Sequence, residues 1–545
     1  MNKKKIIFWL LIILGIILRI TFLGKFASGF FRDEAAIGYN AYSIWLTGKD
    51  EYGVLFPTVF RSFEVFFLPL YIYLSAPIVG LLGLSEFSVR LLSCVSGITT
   101  LFLIYYIAKE IWDVKIARFS LFVLALAPWH ILYSRGTFEG NLALTLFAAG
   151  FLFLLKYIKK QSSTIFFASV FFFAMSMYSY QAERLVVPLL GVATLVFVGQ
   201  KFWSNRQKIL LPSIVVILIL IPLLLLSFKP GGYHRAFGVS VFSKEVNPPG
   251  WIENEPSSLL TNNKTYLKTR QIASLYLSYF SPRNLFIEGD SNHQRSTENY
   301  SMFYSWMTPF LLLGFWTIFK KKRSINKKLF LSWVFISPLP AALTGDPFHT
   351  YRSLLLYLPL SILIGLGISR TYELIKKYKN VFLSAIVLVS LASVMLFLFD
   401  YFVLTQATRA RDWDYGYKEI VEYANSLPAD TKIVVDDPWT EAYIHFLFFS
   451  ETNPRTYHEE VGNITEVESY YYTSSDEIRP NRLGTYEFRD VEWPLERGDT
   501  GVVFVMQADR LPESEFITDP RVKLLKEIKY PDGIIAYRIV EILAP

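Results

Sequence analysis

Cysteine is all but absent from this chain: Cys94 is the single one among 545 residues. A lone thiol inside an apolar run excludes an intrachain disulfide and a thiolate-held metal cluster, and it leaves the redox compartment unread. Charge is scarce too, with 18% Asp, Glu, Lys and Arg against 52% hydrophobic residues. A chain of this length and so apolar is a polytopic membrane protein rather than a water-soluble globule. No GxGxxG, GxxxxGK[ST], GxSxG, HExxH or CxxC occurs, so dinucleotide, ATP, serine-hydrolase and common zinc chemistry have no support. The formal net charge is +8, but the basic residues sit in short clusters between apolar runs and form no basic domain. That pattern speaks against a nucleic-acid partner and for orientation in a membrane.

What is present is a series of apolar runs, near 6–23, 87–108, 116–133, 140–158, 163–180, 185–200, 209–227, 301–319, 329–344, 353–369 and 380–404. Each approaches the ~20 residues that a membrane-crossing helix needs, so about 11 transmembrane helices are expected. Taken alternately, one set of connections holds Lys3 to Lys5 and the clusters near 109–118, 156–160, 201–208, 320–328 and 370–379. That set has 22 basic residues against three acidic ones, Glu110, Asp113 and Glu373. A bias of this size makes that side cytoplasmic, with the N-terminus on it as an uncleaved signal anchor in the plasma membrane. The outer side then receives the loops 24–86 and 228–300 and the tail. Within the first loop, "PLYIYLSAPIVGLLG" (69–83) is expected as an interfacial or re-entrant helix, because a further span would invert every later loop. The tail is charged and turn-rich, with helix-like 417–428 and 441–450, strand-like 431–437 and 501–507, and a hairpin signal at "YPDG" (530–533). The expected division is a transmembrane domain over 1–404 and a small extracytoplasmic α/β domain over 405–545.

The outward segments hold the candidate chemistry. Asp33 and Glu34 lie in "FRDEAAIGYNAYSIWLTGKDEYG" (31–53), about ten residues past the first run. Charges near membrane depth are costly and are usually kept for a reason; the alternative is a solvated pair, or partners for Arg32 and Lys49. Glu139, in "YSRGTFEGN" (133–141), faces the same compartment. It is either half of a local ion pair with Arg135, or the second of two carboxylates that activate and orient an acceptor hydroxyl. Arg184, Arg295 and Arg352 border runs on that side, suited to a phosphate or to lipid head groups. His349 is a proton relay, a phosphate contact or a plain polar contact. "DWD" (Asp412 to Asp414) matches a nucleotide-sugar metal motif, but on the outer side it is a chance match.

"FRDEAAIGYNAYSIWLTGKDEYG", "PLYIYLSAP", "LSEFSVRLLSCVSGITT" and "SRGTFEGNLAL" together resemble the GT-C superfamily of membrane glycosyltransferases. The branch they resemble is that of protein O-mannosyltransferases and lipid A aminoarabinose transferases, over most of residues 1–370. The resemblance implies a mostly α, polytopic fold and transfer, with inversion, of a sugar from a polyprenyl-phosphate carrier to an acceptor hydroxyl at the outer face. The acceptor is a glycan, a lipid or a protein, and no cofactor is required, a divalent metal being the less favoured option. On this resemblance Asp33 is the general base with Glu34 beside it, and Glu139 helps shape the acceptor site. Arg352 and Arg295, with Arg184 and His349, would hold the donor phosphate as its charge grows. Glu64, Arg135 and Asp290 fall to the acceptor side, and the loop 228–300 would cover the site. The chain departs from the family at "SFEVFFLPLYIY", where Val65 and Phe67 stand in place of a usual acidic residue and lysine. Glu64 restores the acid one residue early, and nothing restores the lysine.

Three other readings compete. An oligosaccharyltransferase-like, metal-using enzyme needs more outward carboxylates than Asp290 and Asp346 offer. A transporter or flippase would place ionisable groups at mid-membrane with repeat symmetry, and neither is visible. A catalytically degenerate relative in envelope glycan assembly is the third.

Overall fold

The computed structural model describes residues 3–25, 28–63, 65–228, 240–242, 263–320, 324–439, 441–461 and 481–544. Helix dominates, as an apolar chain requires: in hydrocarbon each backbone polar group must be satisfied within its own segment. Six described helices are long and apolar enough to cross a membrane, namely Glu86–Ile111, Glu139–Lys160, Glu183–Ser204, Arg206–Leu226, Leu354–Leu374 and Lys379–Trp413. The other expected runs also fall on helices, but shorter ones. Residues 6–23 lie largely on Lys3–Ile20, 163–180 on Ser163–Met177, and 301–319 on Thr308–Lys320. Proline divides two more, Val114–Leu126 from Pro128–Tyr133, and Ile325–Ile336 from Leu339–Ala342 across Pro338. The stretch at 69–83 forms the helix Pro69–Leu82, whose 14 residues rise only about 21 Å, short of a bilayer core.

The chain divides into two compact units, Met1–Thr21 with Ser93–Asp400, and Phe22–Leu92 with Tyr401–Pro545. In the first, Leu354–Leu374 is the most enclosed helix and packs against Thr308–Lys320 and Val114–Leu126. Glycine permits this contact: a Cβ on Gly314 or Gly367 would run into the backbone carbonyl of Leu363 or Phe310. The break at Pro128 also has a consequence. Pro128 has no N–H for the Leu124 carbonyl, and the buried Arg19 supplies the donor, bonding Leu124 O at 3.0 Å and Ala125 O at 3.2 Å. Its other contacts are Gly15 O at 2.9 Å and His130 Nδ1 at 2.6 Å.

The second unit contains two small sheets. Strands β1 (Phe60–Ser62) and β2 (Val65–Phe67) form a hairpin. The larger sheet comprises β3 (Lys432–Asp436), β4 (Arg482–Leu483), β5 (Tyr486–Arg489), β6 (Val502–Gln507), β7 (Val522–Lys529) and β8 (Ile535–Ile542), in the order β4-β5-β3-β6-β8-β7. β3 runs parallel to β5 and β6, and both central strands are buried on both faces. The "YPDG" signal falls on the turn between antiparallel β7 and β8. Val434, Phe504, Val540 and Trp493 lie in the core of this sheet. Helix Arg32–Thr47 packs on Pro69–Leu82 and on Tyr443–Phe449, so the segment after the first helix and the chain's tail share one unit.

Candidate functional site

The "FRDEAAIGYNAYSIWLTGKDEYG" segment is a helix followed by a pinned turn, and its three leading charges have three different fates. Arg32 donates from its backbone N–H (2.9 Å), Nε (3.1 Å) and one Nη (2.9 Å) to the Asp414 carboxylate, and it also pairs with Glu441. Burial works to lower the Arg32 pKa, but the charge and hydrogen bonds of Asp414 outweigh it and raise the value. Glu34 is buried and takes a two-point grip from Arg90, at 2.9 Å and 2.6 Å. Arg90 is 1% exposed, lies over the Phe30 ring and reaches the carbonyls of Leu23 and Gly29, so this pair ties the entering loop to helix Glu86–Ile111. Asp33, between them, stays half-buried in the first helical turn, where the positive end of the helix dipole favours a carboxylate. Further along, Gly48 ends the helix in the left-handed region, Asn40 holds Glu51 at both backbone and side chain, and Asp50 accepts from the N–H groups of Tyr52 and Val54. Glu64 lies outside the described residues.

The other candidates belong to the first unit. Glu139 begins its helix and is hydrogen-bonded by the Tyr351 hydroxyl, which also accepts from the Gly140 N–H at 2.8 Å. Burial raises the Tyr351 pKa far above that of a free phenol, and the Glu139 charge adds to it. Arg135 donates to the carbonyls of Leu18 and Arg19. Asp290 ties two loops together: it accepts from the Thr350 N–H (2.8 Å), the Thr350 hydroxyl (2.7 Å) and Arg295 (3.0 Å). Arg352 is held by Asp346 at 2.6 Å, and its N–H donates to His349 Nδ1. Two of the three arginines expected at a phosphate, Arg295 and Arg352, therefore already have a carboxylate. Arg184 differs, because its Nε and one Nη are buried without a hydrogen-bond partner among the described residues. Of the loop 228–300, residues 229–239 and 243–262 lie outside the described residues.

Two cavities accompany these groups. In the first unit, an apolar one of about 370 Å³ is lined by helices Glu139–Lys160, Ser163–Met177, Glu183–Ser204 and Arg206–Ser227, including Phe173, Met177, Val187 and Gly191. Arg184 precedes Val187 and Gly191 by three and seven residues, which puts it at the end of the same helix face. In the second unit, a polar cavity of about 540 Å³ is lined by residues that include Asp436, Asp437, Trp439, His445 and Arg510. Asp414 belongs to this cavity and to the Arg32 pair, so the "DWD" stretch has a structural partner. Arg90 and Tyr351 were not visible as site residues in the sequence. Arg90 stands in the quoted "LSEFSVRLL" as an arginine inside an apolar run, and that placement was the available signal.

Residues 68–225 match the family model of dolichyl-phosphate-mannose-protein mannosyltransferase. Among curated proteins, no sequence match is found. Among solved structures, ArnT from Cupriavidus metallidurans in the apo state is similar at 12% identity and TM-score 0.54, covering 98% of this chain and 97% of that one. The same protein bound to undecaprenyl phosphate matches at 12% identity and TM-score 0.54, over 99% of each chain. The apo oligosaccharyltransferase of Archaeoglobus fulgidus matches at 13% identity and TM-score 0.50, over 98% of this chain and 74% of that one. At such identities the structural likeness is one of fold, and the family match is confined to residues 68–225. The chain is a multi-pass membrane protein with the fold of ArnT, and its residues 68–225 are similar to the dolichyl-phosphate-mannose-protein mannosyltransferases.

Proposed function

We propose that this protein transfers a sugar from a polyprenyl-phosphate donor to an acceptor hydroxyl at the outer face of the membrane, with inversion. The observation that supports it most is the apolar cavity of the first unit with Arg184 at the end of its helix face: a greasy slot beside a guanidinium with two buried nitrogens unbonded among the described residues suits a lipid chain with a phosphate head. The ArnT structure bound to undecaprenyl phosphate supports the same donor class. Asp33 is the general base of this reading. As the bond from the anomeric carbon to the phosphate oxygen breaks, the acceptor oxygen bonds to that carbon from the opposite face. Its proton passes to Asp33, and the lipid phosphate leaves with the negative charge. Glu34 then serves as a positioning residue, because its carboxylate is engaged by Arg90. Glu139 lies on the acceptor side, and Asp290 fixes the loops carrying Arg295 and Thr350.

The excess of basic residues on alternate connections supports a cytoplasmic N-terminus, with the candidate carboxylates and the α/β tail over 405–545 on the outside. The acceptor, whether glycan, lipid or protein, is left to assay. Purified chain in liposomes, given a polyprenyl-phosphate sugar and a panel of acceptors, should show transfer. Asp33→Asn should lower the rate about 10²–10⁴-fold, the usual contribution of a positioned base. Unchanged transfer in that variant removes Asp33 as base, and no transfer by the parent sinks the proposal in favour of a degenerate relative.

A further inference from the structure

The lining of the polar cavity of the second unit includes none of the groups assigned above to base or phosphate binding. It opens at the carboxyl ends of the adjacent parallel strands β3 and β6, the edge where ligands settle in open α/β sheets. Its volume, about 540 Å³, lies within the usual range for small-molecule sites.

Two of its buried side chains have unspent polar capacity. Asp436 is the last residue of β3; its Oδ1 accepts from Arg510 at 2.7 Å and from the Val491 N–H at 3.1 Å. Its Oδ2 is buried with no hydrogen-bond partner among the described residues. His445, 1% exposed, stacks in parallel on Tyr417 and turns Nε2 toward Asp414, 3.6 Å away. Its Nδ1 likewise has no partner among the described residues. Buried polar atoms are rarely left unsatisfied without a reason, and two of them lining one cavity point to a ligand bearing hydroxyl groups.

Charge narrows the class. Asp414, Asp436, Asp437, Glu441 and Asp509 contribute carboxylates to the lining, against the guanidinia of Arg32, Arg411 and Arg510. Arg32 is held by Asp414 and Glu441, and Arg510 by Asp436 and Asp490. Arg411 lies over the Tyr530 ring. A phosphate, nucleotide or carboxylate ligand would meet this acidic surplus, whereas a neutral polyol would not. Among the described residues, no set of three or more His, Cys, Asp or Glu is placed to hold a metal ion. At the rim, Trp439 is 70% exposed, a costly place for an indole unless an apolar face covers it. The C–H face of a sugar ring fits such a surface while its hydroxyls reach inward.

We propose that this cavity is a binding site for a neutral saccharide, with Asp436 and His445 bonding its hydroxyls and Trp439 covering its ring. The proposal stands independently of the transferase reading. It is tested by saturation-transfer NMR on the full chain in nanodiscs, with no lipid donor present. Mannose and N-acetylglucosamine serve as neutral probes and glucuronate as the anionic one. Saturation transfer to a neutral probe is expected, with affinity falling about tenfold in Trp439→Ala, as loss of one ring-stacking contact implies. Asp436→Asn should weaken the same probe. Trp439 is largely outside the core, so its substitution leaves a folded protein to measure. No signal from either neutral sugar, affinity unchanged from the parent in both variants, or preference for glucuronate would each overturn the assignment. Because no donor is added, the transfer assay can fail or succeed without changing this outcome.

Discussion

Arg184 of the first unit and three arginines of the second, Arg32, Arg90 and Arg510, are treated in opposite ways. In the second, Arg90 is gripped by Glu34, Arg32 by Asp414 and Glu441, and Arg510 by Asp436 and Asp490, so its polar cavity is left with spare acceptors. In the first, Arg184 keeps buried donors unspent on the helix face that continues into an apolar cavity. A neutralised guanidinium holds structure, while an uncompensated one waits for an anion, since a buried charge without a counter-charge is expensive. The difference matches the opposite ligands proposed for the two cavities: a lipid phosphate in one, an uncharged polyol in the other.

Arg90→Met tests the structural half most severely. Removing one partner of a buried pair strands the Glu34 charge and should cost about 3–5 kcal/mol. Chemical denaturation would measure this, and the double variant R90M/E34L should recover much of the loss. Stability unchanged by Arg90→Met would erase the contrast. Arg184→Met is the matched case: thermal unfolding should stay close to the parent's, while KM for the lipid donor rises more than about tenfold, as loss of a charge-assisted bond implies. A large fall in Tm with an unchanged KM would make Arg184 structural. Gly191→Phe sharpens the picture further. A Cβ at Gly191 meets nothing within 4 Å and the position lines the apolar cavity, so a ring there should compete with the lipid chain. Donor KM should rise several-fold, with saccharide binding at the other cavity unaffected.

The smallest effect concerns Asp436, whose pKa is raised by burial to about 6, above the ordinary aspartate range, Arg510 offsetting part of the rise. A carboxyl whose folded pKa lies above its unfolded one favours the protonated native state. Its ionisation therefore costs stability, progressively between pH 4 and 6 and fully above. Asp436→Asn should stabilise the protein at pH 7 by about 1–2 kcal/mol, with no gain near pH 4. A residue kept at that cost is better explained by ligand binding than by packing.

The sequence displayed the helices plainly, because hydropathy is a local property and each expected apolar run lies on a helix. It did not display their true lengths at Pro128 and Pro338, where the run continues in composition while the backbone loses a donor. The tail's pattern was legible for the same reason: 431–437 and 501–507 contain β3 and β6, and "YPDG" is the turn it resembles. The acidic pair after the first helix was visible as an anomaly, but its division of labour was not. Glu34 lies 56 positions from the arginine that engages it, and no local spacing encodes such a pair.

By itself, then, the amino-acid order determined a helical membrane protein, the excess of basic residues on alternate connections, and a GT-C resemblance, since each rests on composition or short motifs read along the chain. Only the tertiary structure decided that Glu34, Arg295 and Arg352 are engaged by opposite charges while Arg184 retains buried donors, and that the segment after the first helix shares a unit with the tail. The physical reason is the range of the interactions. Helix formation is settled within a few turns, whereas desolvating a charge and finding its partner depends on which distant segments fold against it.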